Sequence, residues 1–419
     1  MPDSISGNDL LSIARLLVSP LRLDATPATA RAALAQAGAV DWAVLLRHAD
    51  AHTMAPLLYD AWRQARVLDL VPESPRARLA KAYADNQIRN SRIRGELLDV
   101  HQLLTAAQTP HIVLKGWPLV ERLYADPAQR FMSDQDFLVP AERAAAGHQA
   151  LRAAGFRPLP AKDEWIEKHL PSLWRNDGYH WDGYLYDPDY PRPVELHVRL
   201  WELGWRGLAV RDLPNVWPRA ATRTVAGLPM QVLSDEDTLV HLSMHFSGHL
   251  VEREARLNQL LDLARFVAAA PGLDWSASLA LAEAAGVSRF VYASLWFAHD
   301  VYGAPLPPAA HWQALAALTP PAFRRWLAAE GVADVLTTDY RVRGKGQDYK
   351  LTFLAARSLG ERLGIARFAL LPPMGQLAAK YHLRHAWLGP LLYPRYLAGR
   401  AWAYGRGMLK RKYITGRME

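Results

Sequence analysis

The 419-residue chain has no cysteine. Disulfides, thiolate zinc sites and cysteine nucleophiles are excluded, and the composition fits a reducing compartment. No apolar run is long enough to span a bilayer, because Pro, Arg or His interrupts every stretch that comes close. The N-terminus carries Asp3 and Asp9 where a secretory signal would be basic, so no signal peptide is expected. Internal repeats and low-complexity tracts are missing as well. These absences leave a soluble cytoplasmic protein without a transmembrane segment as the expectation.

Half of the residues are hydrophobic and 21% are charged, which is ordinary globular composition, and the length calls for two or three packed units. The net charge is +8, with the excess gathered at one end. From Lys380 the chain carries Arg384, Arg395, Arg400, Arg406, Lys410, Arg411, Lys412 and Arg417 against Glu419 alone. Such a tail, interleaved with Trp387, Tyr393, Tyr396, Trp402 and Tyr404, suits nucleic acid such as RNA, an anionic membrane or a phosphorylated substrate. A solvated basic helix suits it equally. Tryptophan is abundant, at fifteen residues, and five of them fall at Trp165, Trp174, Trp181, Trp201 and Trp205. Most tryptophans are core or interface, so none is assigned to a ligand.

Apolar periodicity divides the chain into three regions. Residues 1–108 read as helical, with one long helix across 76–106. Residues 109–233 alternate strands and helices, an α/β or α+β core. Strands are expected at 111–114, 134–139, 178–186, 193–201 and 228–233, with helices from Trp117 to Tyr124 and from Pro140 to a cap at Gly155. Residues 234–419 return to helix, starting at the Ser234 cap and broken at Pro305–Pro308, Pro320-Pro321 and Pro372-Pro373. The segment 341–350 reads as a loop.

The chemistry-bearing pattern lies in the middle region. Side chains at i and i+2 of a strand share a face, so Asp134 and Asp136 in Ser133-Asp134-Gln135-Asp136 project together. Like charges so close repel, and a bound cation relieves them. In Pro193–Trp201, Val194, Leu196, Val198 and Leu200 form an apolar face and leave Glu195, His197 and Arg199 on the other. Glu195 is thus placed to complete a carboxylate trio, although an edge glutamate facing water would be the commoner use of such a residue.

VLKGWPLVERLYADPAQRFMSDQDFLV followed by VELHVRLW resembles the bacterial nucleotidyltransferase-like family of the polymerase-β nucleotidyltransferase superfamily. VLSDEDTLVHLSMHFSGH and the later LLDLARFV are similar to it too, and the resemblance covers roughly residues 75–305. It implies an α+β fold, with a polymerase-β-like core and mixed sheet between N- and C-terminal helical regions. It implies transfer of NMP from an NTP, with ATP the default donor on frequency alone. The acceptor is left open between a small molecule, a peptide or protein, and tRNA. Asp134, Asp136 and Glu195 would hold Mg2+, with Mn2+ as the alternative, for two-metal catalysis. The superfamily turn usually carries Gly-Ser close to the aspartates. Here Gly116 precedes Trp117, and the aspartate pair begins 18 positions later. Lys115 is therefore expected to replace the serine as a phosphate ligand, against a surface lysine as the plain alternative. Gly116, Ser133 and Arg130 are expected on the substrate side, with a salt bridge competing for Arg130.

His241, His245 and His249 recur every four residues, and each step drifts about 40° around a helix. With no HExxH glutamate, a zinc site ranks below a role at the cleft, and His245 and His249 are the expected substrate contacts. The competing functions are a catalytically degenerate nucleotide-binding protein, and an RNA- or membrane-surface protein acting through its tail.

Overall fold

Apolar residues at helical spacing carry the first hundred residues into α1 (Gly7–Val18), α2 (Pro27–Gln36), α3 (Trp42–Ala51), α4 (Ala55–Gln64) and α5 (Glu73–Ala106). The computed structural model describes residues 7–36, 40–159, 167–175, 178–190, 192–252, 254–331, 335, 349–383 and 386–402. Helix α5, the expected long helix, runs 34 residues straight through Gly95. At 1.5 Å per residue it is about 50 Å long, and its two halves serve different cores. Leu79 and Ala82 join a large apolar cluster shared by the N- and C-terminal helices, whereas Ile93, Leu97, Val100 and Leu104 join a second cluster beneath the sheet.

The sheet has seven strands: β1 (Ile112–Val113), β2 (Gln135–Leu138), β3 (Arg157–Pro158), β4 (Leu173–Trp174), β5 (Val194–His197), β6 (Ala221–Val225) and β7 (Leu228–Val232). Their order is β3-β4-β5-β2-β1-β7-β6. β2 runs parallel to β5 and β1 parallel to β7, while the other neighbours are antiparallel. The fold is thus α+β with a mixed sheet. After β1 comes α6 (Trp117–Leu123), and after β2 comes α7 (Ala141–Ala153), which packs on α5. One face of the central strands, with Val113, Phe137, Val194 and Leu196, lies in the second cluster. The opposite face carries the acids.

Three strand expectations need correction. Residues 178–186 form turns and irregular chain instead of a strand. Asp182 accepts from Tyr184 N at 2.8 Å, and just beyond the segment Asp187 accepts from Asp189 N at 2.8 Å. Such aspartate turns compete with a ladder. The strand expected over 193–201 ends at His197, because Val198 N and Arg199 N both turn to Lys168 O, at 2.8 and 3.2 Å. The strand expected over 134–139 is the shorter β2, so Asp134 sits just before its ladder. The hairpin partner β6 escaped sequence reading. Its two-residue turn, Ala226-Gly227, has both residues at positive φ (53° and 88°) as a type I′ turn demands, with alanine where asparagine or glycine is usual.

The carboxyl-terminal helices follow their caps closely. α8 (Val216–Arg219) precedes the β6–β7 hairpin, and Ser234 accepts from Asp237 N at the start of α9 (Asp235–Val251). α10 (Leu257–Ala269), α11 (Trp275–Ala284), α12 (Ser288–Tyr302), α13 (Ala309–Ala317) and α14 (Pro321–Trp326) complete the main body, the last two starting just after Pro308 and Pro320. Three further helices, Lys350–Ala355, Leu359–Leu370 and Met374–Lys380, extend it. The loop expected at 341–350 lies almost wholly outside the described residues, as do Arg384, Arg406, Lys410, Arg411, Lys412 and Arg417 of the tail. No described helix is long and apolar enough to cross a membrane.

The Leu359–Leu370 helix is joined to the body backbone to backbone. A Cβ on Gly364 would come within 2.4 Å of Gly207 O, and one on Gly207, itself at φ +83°, within 2.3 Å of Gly364 O. Neither position has side-chain atoms that could yield. Gly364→Ala is expected to destabilise the protein by about 1–3 kcal/mol through overpacking, measured by urea unfolding, and Gly360→Ala on the same helix by much less.

Candidate metal and nucleotide site

Leu114 N donates to Asp136 O at 3.0 Å, so Lys115 leaves the sheet beside that aspartate. Gly116 then takes φ +64° and ψ −122°, a conformation side chains resist. Its carbonyl accepts from Leu119 N and Val120 N, starting α6. The turn therefore delivers the Lys115 side chain, largely buried, between Asp134 and Asp136. Its Nζ lies 3.3 Å from Asp134 Oδ1 and in contact with Asp136 Oδ2.

Asp136 and Glu195 are direct register partners across the parallel β2–β5 pair. His197, two residues beyond Glu195, places Nε2 3.1 Å from Asp136 Oδ1 and 3.4 Å from Glu195 Oε2. Glu195 is also held by Ser172 Oγ at 3.1 Å and by His169 Nε2 at 3.3 Å. Among the described residues, Asp136, Glu195 and His197 form a group whose ligand atoms all lie within 4.8 Å of one another.

The electrostatics divide the acids. Burial pushes Asp136 up, but Lys115 and His197 outweigh it and hold the carboxyl well below its usual range. Burial pushes Glu195 up as well, but His197 and His169 together outweigh it and lower the carboxyl. Asp134 goes the other way, raised by burial and by repulsion from Asp136. Burial opposes charge on Lys115 and His197, yet the carboxylates overcome it and raise both. The donor set fits a hard divalent ion: three carboxylates crowd one cleft, and the ammonium of Lys115 balances two of them.

The approach to Asp134 is fixed from α5. Asn86 Nδ2 donates to Ala128 O at 2.7 Å, Asn90 Nδ2 to Arg130 O at 2.8 Å, and Arg89 Nη2 to Met132 O at 3.0 Å. All three side chains are fully buried, and their targets span the segment leading into β2.

The other expected residues scatter. Ser133 is half-buried on that segment. The Arg130 guanidinium grips Asp262 of α10, with Nε 2.9 Å from Oδ1 and Nη2 2.7 Å from Oδ2. It is a buried tie between the segment and the helical body, which is the competing reading of that arginine. His245 stands 3.3 Å from Gln259 Nε2 and edge-on to His249, with ring centroids 4.8 Å apart. His241 is the histidine of the row that lines a cavity with Lys115, Arg122, Arg223 and Thr238. Both of its ring nitrogens are buried without a hydrogen bond. The sequence carries His241, His245 and His249 alike, and only the rotation of α9 in the fold turns His241 to the cavity. His197 was on the same face as Glu195 in the pattern and was given no role. His169 and Ser172 lie on irregular chain just before β4, where no periodic pattern marks a residue.

A family model described as "Uncharacterised nucleotidyltransferase" matches residues 38–303, well over half of the chain. The chain belongs to that family. Nucleotidyl transfer is thereby its general chemistry, with an NTP as the donor class. The chain is also similar to a solution structure of the antibiotic-resistance factor ANT(2'')-Ia, at 14% identity and a TM-score of 0.30, covering 46% of this chain and 91% of that one. No curated protein matches.

Burial, reinforced by Lys115, lowers the pKa of His241 to about 3. In the unfolded chain it would titrate near 6.5, so between these values the unfolded state binds the extra proton and stability falls as pH falls. Urea unfolding should show His241 costing the wild type about 2 kcal/mol between pH 7 and pH 5, a loss absent from His241→Leu once the two pH profiles are subtracted.

Proposed function

We propose that this nucleotidyltransferase moves an NMP group from an NTP, ATP by default, to a nucleophilic acceptor, with divalent ions held by Asp134, Asp136 and Glu195. A polymerase-β-like core for residues 109–233, flanked by helical regions 1–108 and 234–419, belongs to the same reading. The observation that carries it is the register pairing of Asp136 with Glu195, beside an ammonium that also touches Asp134. Buried carboxylates in such numbers cost stability unless positive charge meets them, and a catalytic cleft is where that cost is tolerated.

In the proposed reaction the acceptor forms a bond to the α-phosphorus as the bond to pyrophosphate breaks, and the acceptor proton leaves to solvent. Bound Mg2+ or Mn2+ would supply the charge that activates the acceptor and neutralises the leaving group. Asp136 and Glu195 keep their carboxylates aimed into the cleft because His197 donates between them. Ser172 and His169 stop Glu195 from rotating away. Lys115 moves from the carboxylates to a phosphate oxygen when substrate arrives, acting as a point charge where the superfamily uses serine. His241 faces the same cavity as Lys115 and is a nearer candidate for phosphate or acceptor than His245 or His249.

Incubation with labelled NTPs and cell extract tests the class. Asp134→Asn is the variant of choice, because Asp134 is half-exposed and its loss leaves Lys115 paired with Asp136. Label transfer should drop at least about a hundredfold while the thermal midpoint barely moves; undiminished transfer would remove the assignment. Magnesium-dependent nucleotide binding by wild type without any transfer would favour a degenerate binding protein. Lys115→Met separates the two roles of the lysine. By calorimetry, Mn2+ should bind more tightly without nucleotide, since no ammonium competes, and NTP more weakly.

A further inference from the structure

The Leu359–Leu370 helix turns large apolar side chains to water. Glu361, Gly364 and Ile365 point to the body, while Leu359 is 71% exposed, Leu363 62% and Leu370 55%. These leucines stand at i, i+4 and i+11, one continuous outward stripe. Arg362 and Arg367, both exposed, flank it. The stripe continues past the helix end, where Leu371 and Met374 are about half-exposed. The 386–402 segment is tied to that end: Tyr393 OH donates to Pro372 O at 2.8 Å and Tyr396 OH to Ala369 O at 3.3 Å. Gly389 lies so close to Met374 that a Cβ would meet its carbonyl at 3.2 Å. The same segment exposes Trp387, at 70%, and Leu391, at 74%.

The stretch of chain that carries this apolar surface has charge of almost one sign. From Lys350 to Trp402 the sequence contains a single acid, Glu361. That acid is buried, accepting from Arg289 Nη2 at 2.9 Å and from Ala209 N at 3.1 Å.

We propose that this face docks on an anionic lipid bilayer. Leucine and tryptophan enter the region between headgroups and acyl chains, and the flanking arginines meet lipid phosphates. The basic tail alone would suit any polyanion, but aliphatic leucines gain nothing from RNA, whose bases stack on aromatic rings. A second copy of the chain would set arginine against arginine across the contact.

The test is co-sedimentation of the full chain with vesicles of phosphatidylcholine alone, and of phosphatidylcholine and phosphatidylglycerol in a ratio of roughly 7:3. Wild type should bind the mixed vesicles at least about tenfold more tightly than the neutral ones, and less tightly as salt rises. L363E/L370E and R362Q/R367Q should each weaken binding at least about tenfold, with nucleotide binding and thermal midpoint retained as evidence of folding. The idea is overturned if wild type ignores the mixed vesicles, or if L363E/L370E binds them as wild type does. It is equally overturned by a dimer that L363E/L370E dissolves, which would assign the face to a second copy. Labelled RNA released by R362Q/R367Q but not by L363E/L370E, without vesicle binding, would assign it to nucleic acid.

Discussion

Side chains alternate along a strand, so a slip of one residue between β2 and β5 would turn Asp136 into the apolar cluster and leave Gln135 facing Glu195. The single register is pinned at both ends, by Gln135 N donating to Pro193 O and Val139 N to His197 O, each at 2.8 Å. It is pinned on the apolar face by Phe137 opposite Leu196. Gln135, which alternation aims away from the acids, bonds Glu96 of α5 at 2.9 Å, and Glu96 meets Arg192 at 3.3 Å. The positions of Lys115, His197, His169 and Ser172 have meaning only once this pairing is fixed.

Helix α5 supplies the second constraint. It lies in both apolar clusters, and its Asn86, Arg89 and Asn90 hold the carbonyls of the segment entering β2. Arg130 ties that same segment to Asp262 in the helical body. The acid-bearing strand is therefore anchored on two sides by buried polar contacts, which are directional where apolar packing is not. Such contacts resist small displacements, and metal coordination tolerates few.

Much of this was legible in the sequence, for identifiable reasons. α9, α10 and α11 carry explicit caps, and local physics is enough for them. The Asp136–Glu195 juxtaposition was legible because period-two alternation fixes faces, although it could not say that the strands would pair directly. The aromatic content of 178–186 suits a strand, while Asp182 captures the Tyr184 amide that a strand would use. Arg130 reads identically in sequence whether it meets phosphate or Asp262, since its partner lies 132 residues away. The choice among His241, His245 and His249 depends on how α9 is rotated against α6 and β1. Tertiary packing sets that rotation.

The contact between Gly207 and Gly364 has a mechanical consequence. With no side chain between them, two backbones touch with nothing soft to deform, and Glu361 locks the adjoining turn to Ala209 and Arg289. The Leu359–Leu370 helix is thereby rigidly mounted on the stretch of chain that emerges from β5, the strand that bears Glu195. Whatever surface the outer leucines rest on, the angle at which the carboxylate cleft is presented to it is set by this joint. A tethered enzyme usually searches its surroundings through a flexible linker, whereas a rigid mount makes reach a fixed height above the surface.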